Sequence, residues 1–168
     1  MVKRQAEIKG TSARAMEKEL NEQLANLHVF YIKLHNYHWY IKGKHFFSLH
    51  EKFEEMYDKT KTHIDEYAEQ MLTVRVQPLA TMKDFLAAST LDEATGNEGE
   101  LDMVNSISLD LQKMSNELYE IMEQLEDKKA LSLADAIQEI ARDFQKDDWM
   151  LRAYLDKNNW IGFCIGKR

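Results

Sequence analysis

With 168 residues the chain has room for one domain and a sizeable core, and its formal net charge of −7 makes it a poor match for a polyanion. A hydrophobic fraction of 44% excludes a disordered chain, while one proline and six glycines leave little of it for turns, which favours long helices over many short strands. The lone Cys164 excludes an internal disulfide, no apolar run approaches the length of a bilayer, and the charged N-terminus lacks the apolar segment of a secretory signal. A cytoplasmic protein without membrane association is the expectation.

Residues 1–11 read as a polar tail. From Ser12 to about Ile41, the positions Leu20, Leu24, Leu27, Tyr31, Leu34, His38 and Ile41 follow alternating steps of three and four, the stripe of an amphipathic helix. Gly43 ends it. Ser48 opens a second helix, with Glu51 three residues on as its capping-box partner and a stripe of Leu49, Phe53, Met56, Thr60, Ile64, Tyr67 and Met71. Pro78 stops this pattern by Gln77. The short link between these helices makes them antiparallel neighbours.

Residues 79–99 form a long connection in which Thr81 to Ala88 can hold a short helix. A third long helix runs from about Glu100 to Glu126 on Leu101, Val104, Leu111, Met114, Leu118, Ile121 and Leu125. A fourth runs from Ser132, with Asp135 as capping partner, to about Lys157 on Leu133, Ile137, Ile140, Phe144, Leu151 and Leu155. Trp149 reads as packing, and residues 158–168 as a C-terminal tail. The expected fold is all-α: a single four-helix domain over 12–157, two tight hairpins joined by a long crossover.

Five of the six histidines, His28, His35, His38, His45 and His50, fall in the first hairpin, and the second helix adds Glu54, Asp58, Asp65, Glu66 and Glu69. Imidazole nitrogen with carboxylate oxygen suits iron, manganese or zinc. At about 100° per residue His50, Glu54, Asp65 and Glu69 share one helix face, yet His50 and Asp65 lie about 22 Å apart along the axis. Metal ligands sit about 2 Å from their ion, so the two pairs cannot serve one ion within one chain. Either they are two half-sites, completed across a two-fold axis near residues 59–60 by an antiparallel second copy, or the face is simply solvated. The Glu-x-x-His motif of an intrasubunit di-iron bundle is absent, which favours the first reading.

The run LHNYHWYIKGKHFFSLHEKFEEMYDKTKTHIDEYAEQML over 34–72 resembles the signature of the Dps family, the mini-ferritins, and PLATMKDFLAAS (78–89) and DDWMLRAYL around Trp149 extend the likeness. The resemblance implies a ferritin-like bundle and places metal ligands at His38, His50 and Glu54 of one subunit, with Asp65 and Glu69 from the two-fold-related subunit. At 54 the family commonly has aspartate, one methylene shorter. The resemblance further implies a ferroxidase that binds two Fe(II) per intersubunit site, oxidises them preferably with hydrogen peroxide, and stores the ferric mineral in a hollow dodecamer.

The same likeness makes Trp39, beside His38, a candidate sink for stray oxidising equivalents. It also makes Asp135, Glu139 and Asp143, a ladder of acids at every fourth position, candidates to line an iron-admitting pore. An ordinary exposed helix face carries the same kind of ladder. His35 is expected near the site, and His28, His45 and His63 at the surface. DNA compaction is the competing function, with nucleoid association if DNA is bound. The first 22 residues carry five basic side chains, Lys3, Arg4, Lys9, Arg14 and Lys18, against the four acids Glu7, Glu17, Glu19 and Glu22, so weak or absent DNA binding is expected.

Overall fold

The computed structural model describes the backbone of residues 11–163 and the side chains of residues 14–156. The sequence features Lys3, Arg4, Glu7, Lys9 and Cys164 lie beyond the described residues. The described residues form five helices: α1 (Thr11–Tyr40), α2 (Phe46–Thr73), α3 (Met82–Ala88), α4 (Glu100–Asp127) and α5 (Leu131–Phe163). No strand occurs among the described residues, and no helix among them is long and apolar enough to cross a membrane.

The apolar stripes meet in one core. Leu20, Leu24, Leu27, Phe30 and Leu34 of α1, Phe53 and Tyr67 of α2, Val104, Ile107 and Leu111 of α4, and Leu133, Ile137 and Phe144 of α5 are all buried. Full burial of each such side chain is worth roughly 1.5–3 kcal/mol. The helices form a square in which α1 packs on α2 and α4, α5 packs on α4 and α2, and α3 lies on α1. Pairs between α1 and α4, Gln23 with Glu117, Lys33 with Asp110 and Tyr37 with Ser106, rise along one helix and fall along the other, so the two are antiparallel. Lys52 and Lys59 with Asp147, and His63 with Asp143, show the same for α2 and α5.

It follows that α2 and α4 point the same way, and the link 74–99 must travel back along the bundle. Two buried asparagines of α1 hold it there. Asn21 accepts the Leu79 N–H (2.7 Å) and donates to the Gln77 carbonyl (3.0 Å). Asn26 accepts the Thr90 N–H (2.8 Å) and the Ser89 hydroxyl (2.9 Å). Thr81 caps α3 by accepting the Asp84 N–H.

Several helix ends differ from expectation. Helix α2 begins at Phe46, two residues before Ser48, and its N-cap His45 makes no side-chain cap; the Ser48 hydroxyl donates to the His45 carbonyl instead. The other end comes before Gln77, because Arg75 takes a left-handed conformation (φ 64°) and the Val76 N–H bonds back to the Met71 carbonyl at 3.0 Å. This six-to-one closure needs no proline. Lys129 (φ 59°) closes α4 in the same way. Helix α5 starts at Leu131, which puts Ser132 inside it rather than at its cap, and continues past Lys157 to Phe163.

Burial also corrects individual positions. Leu101 and Trp149 are exposed, not packed. The seven-residue step in the α5 stripe from Phe144 to Leu151 is filled by two buried acids. Asp147 pairs with Lys52 and Lys59, and Asp148 accepts from Ser108, Gln112 and Arg152.

Candidate metal centre

The α1–α2 turn brings the last turn of α1 against the first turn of α2, and with it His38 against His50. The rings stack with centroids 3.7 Å apart and planes 18° from parallel. The His38 Nδ1–H donates to the His50 carbonyl at 2.7 Å, and the His50 Nδ1–H donates to the His38 carbonyl at 2.8 Å. Carbonyls near a helix end lack intrahelical partners, so the His38 carbonyl is a natural acceptor. Because a carbonyl can only accept, both Nδ1 atoms carry the proton. That tautomer leaves the lone pair of an imidazole on Nε2, the arrangement of a metal-binding histidine whose other nitrogen is held in place.

Glu54, one turn beyond His50, completes the group. One ligating atom from each of His38, His50 and Glu54 lies within 4.8 Å of the others, and among the described residues no other set of three histidine, cysteine or acidic side chains converges in this way. His38 is buried, His50 half-buried and Glu54 exposed, so the group opens to the surface. Nitrogen and carboxylate donors without sulfur suit a first-row divalent ion, ferrous iron among them.

An aromatic shelf supports the histidines. Phe46 stacks on His50 (4.9 Å), and Tyr57 meets His38 edge-on (5.4 Å) while stacking on His35 (4.1 Å). Tyr57 is a residue that sequence reasoning missed, although it lies two turns after His50 on the same face of α2. Burial, together with the nearby Glu54 and Asp58 carboxylates, raises its phenol pKa. His35 stands where expected, beside the site, with Nδ1 donating to the Tyr31 carbonyl and Trp39 edge-on to its ring at 5.3 Å.

Asp65 and Glu69 do not join the group. Both are exposed on α2 and more than half a helix length from His50, as the rise per residue requires. Asp135 and Glu139 are exposed on α5, whereas Asp143 faces α2 and lies 3.2 Å from His63 Nε2, at an angle that makes no hydrogen bond.

The remaining histidines are half-buried rather than freely exposed. His63 is half-buried beside Phe144, and its pKa is lowered by burial against the opposing pull of Asp143. His28 stacks on Phe85 at 3.7 Å with its pKa lowered by burial, and His45 bonds to Glu100.

Residues 17–159 match the family model described as a ferritin-like domain. General stress protein 20U of Bacillus subtilis (strain 168) is 45% identical over 136 residues, 81% of this chain and 94% of that protein. DNA protection during starvation protein 2 of Bacillus anthracis is 44% identical over 138 residues, 82% of this chain and 94% of that protein. The crystal structure of a Dps protein from Bacillus brevis superposes with a TM-score of 0.84 at 37% identity, covering 88% of this chain and 99% of that one. That of a Vibrio cholerae O1 Dps protein, described as a member of a broad superfamily of ferritin-like diiron-carboxylate proteins, gives 0.83 at 30% identity, covering 92% and 98%. With its all-α bundle, its short helix in the crossover and these relatives, the chain belongs to the Dps family of ferritin-like proteins.

Proposed function

We propose that the protein is an iron-storage mini-ferritin and a ferroxidase, working in the cytoplasm to remove ferrous iron and peroxide together. The observation that carries this reading is the convergence of His38, His50 and Glu54, with both Nδ1 atoms committed to backbone carbonyls. Ferrous iron is the substrate. His38, His50 and Glu54 of one subunit and Asp65 and Glu69 of a two-fold-related subunit bind two Fe(II) per site. Two Fe(II), one hydrogen peroxide and two protons give two Fe(III) and two waters, so both electrons go to one oxidant and no hydroxyl radical leaves.

The need for a second copy rests on reach: the two halves lie too far apart along α2 to close on one ion. It is supported by the apolar side chains that the first hairpin leaves exposed, with Phe47 84% and Trp39 66% accessible in the single chain. A closed dodecamer storing ferric mineral is the proposed assembly. Trp39, exposed next to His38, is the proposed sink for stray oxidising equivalents. Asp135 and Glu139, exposed four residues apart on α5, are the proposed pore acids, with Asp143 tied to His63. DNA binding is weak or absent, because the chain is acidic and the tail adds little positive charge. A gel shift at physiological salt tests this, and retention of DNA would favour the DNA-compacting reading with nucleoid association.

The decisive experiment is anaerobic addition of hydrogen peroxide to the Fe(II)-loaded protein. Two Fe(II) are consumed per peroxide, and the reaction is lost in His38→Ala and in Asp65→Ala. Full activity in either variant would defeat the proposal.

A further inference from the structure

The spacing of His38 and His50 depends on the turn 41–45 that joins their helices, and side chains of the other two long helices reach into that turn. Helix α2 has no side-chain cap of its own. The side chain of its N-cap residue, His45, turns away from α2 and gives its Nδ1–H to Glu100 Oε1 at 2.5 Å. Glu100 is the first residue of α4, in the other hairpin, where the helix N-terminus also favours an anion. The Tyr154 hydroxyl of α5 donates to the same oxygen at 2.5 Å, with His45 Nδ1 at 2.8 Å.

The other carboxylate oxygen lies under the turn. A Cβ at Gly43 would stand 3.0 Å from Glu100 Oε2, and Gly43 has φ +116°, a conformation that side chains rarely adopt. Glu100 is only 17% exposed, and its pKa is held below the usual carboxylate range: burial pushes it up, but the donors from His45 and Tyr154 outweigh that. One ionised carboxylate thus ties α4 and α5 to the turn between the two stacked histidines.

We infer that Glu100 is a positioning residue for the metal centre, acting through His45 and the 41–45 turn to hold His50 against His38. The role rests on the donor set proposed above. It assigns Tyr154 as an orienting partner of the carboxylate and Gly43 as the residue that leaves room for it. Outer partners that orient metal-binding side chains typically change affinity by about 10–100-fold when removed.

Co(II) serves as the probe, because its ligand-field absorption reports the donor geometry without turnover. In Glu100→Ala the Co(II) affinity falls about tenfold or more and the absorption bands shift. In Glu100→Gln, whose amide oxygen can still accept from His45, both changes are smaller. Tyr154→Phe, which keeps the carboxylate, gives a smaller loss than Glu100→Ala. A residue that merely stabilises the bundle would lower the melting temperature and leave the Co(II) affinity and bands unchanged, and that result in Glu100→Ala overturns the inference.

Should Glu100→Ala fail to fold, Glu100→Gln and Gly43→Ala supply the same readout. Gly43→Ala is expected to displace the carboxylate and shift the bands, and unaltered bands in both overturn the inference. His38→Ala is the control. If it binds Co(II) as the parent does, the donor set itself is wrong and the role of Glu100 falls with it. If it loses Co(II) while the Glu100 variants keep it, only the role of Glu100 fails.

Discussion

His38 and His50 each hold the other's backbone: two N–H to carbonyl bonds of 2.7 and 2.8 Å run in opposite directions between the same two residues. Removing either ring therefore takes away one candidate ligand and the stack that flanks the other ring, which keeps its bond to a backbone carbonyl that alanine still supplies. The two losses are not independent, and residues joined in this way show coupling of about 0.5–3 kcal/mol. We expect His38→Ala and His50→Ala each to weaken Co(II) binding severely, and the double variant to add far less than the product of the two. Titration of the three variants checks this; additive losses would mean that the two stacked rings do not serve one ion.

Completion of the site across a two-fold axis predicts complementation. A chain carrying His38→Ala and His50→Ala, and another carrying Asp65→Ala and Glu69→Ala, are each expected to be inactive alone. At an isologous interface between the two, one site combines both defects and the other has every donor intact. Dissociating the two variants, mixing them and reassembling should restore part of the Fe(II) oxidation rate, up to about half of the sites at each mixed interface. A mixture no more active than its parents would place Asp65 and Glu69 outside the site.

Lys33 of α1 and Asp110 of α4 form an ion pair of 2.6 Å, with the lysine side chain only 3% exposed. Burial raises the Asp110 pKa even though Lys33 pulls it down, so the carboxylate depends on its partner. Breaking a buried pair from one side costs about 3–5 kcal/mol, because it strands the other charge. Lys33→Met should lower the melting temperature by many degrees, and adding Asp110→Leu should recover much of the loss. A single variant as stable as the parent would show that water reaches the pair.

Much of this architecture was legible in the sequence because long helices write their buried faces at three- and four-residue steps. His38 stood on such a stripe, and it is buried. The α3 segment was legible as a short helix within 81–88, although its Thr81 cap came only with the structure. Helix ends were harder to read: Arg75 and Lys129 adopt a conformation usually left to glycine, so neither carried a signal, and Pro78 drew attention four residues too late. Asp147 and Asp148 broke the α5 stripe, which was visible only as a gap; their partners lie on other helices. For the site, spacing along α2 sufficed to separate His50 and Glu54 from Asp65 and Glu69. The ring stack of His38 on His50 and the reach of His45 to Glu100 required the turn in three dimensions.

Glu98, just ahead of α4, makes the fold sensitive to acid. Its carboxylate accepts the Thr95 N–H at 2.8 Å and the Tyr37 hydroxyl at 3.2 Å, and Tyr37 immediately precedes His38. Burial pushes the Glu98 pKa up, but these donors prevail and bring it from 4.5 down to about 2, while burial of Tyr37 pushes that phenol up to about 12. A carboxylate with a depressed folded pKa stabilises the native state fully above its unfolded value. That contribution is lost as the pH falls from about 4.5 towards about 2. Glu98→Gln should therefore melt below the parent at pH 7, and the gap should narrow below about pH 4.5 and close near pH 2. Melting curves of both proteins across that range measure it. A gap that stays constant with pH would assign the loss to shape rather than charge, and would remove Glu98 as the acid-sensitive anchor of the crossover beside Tyr37.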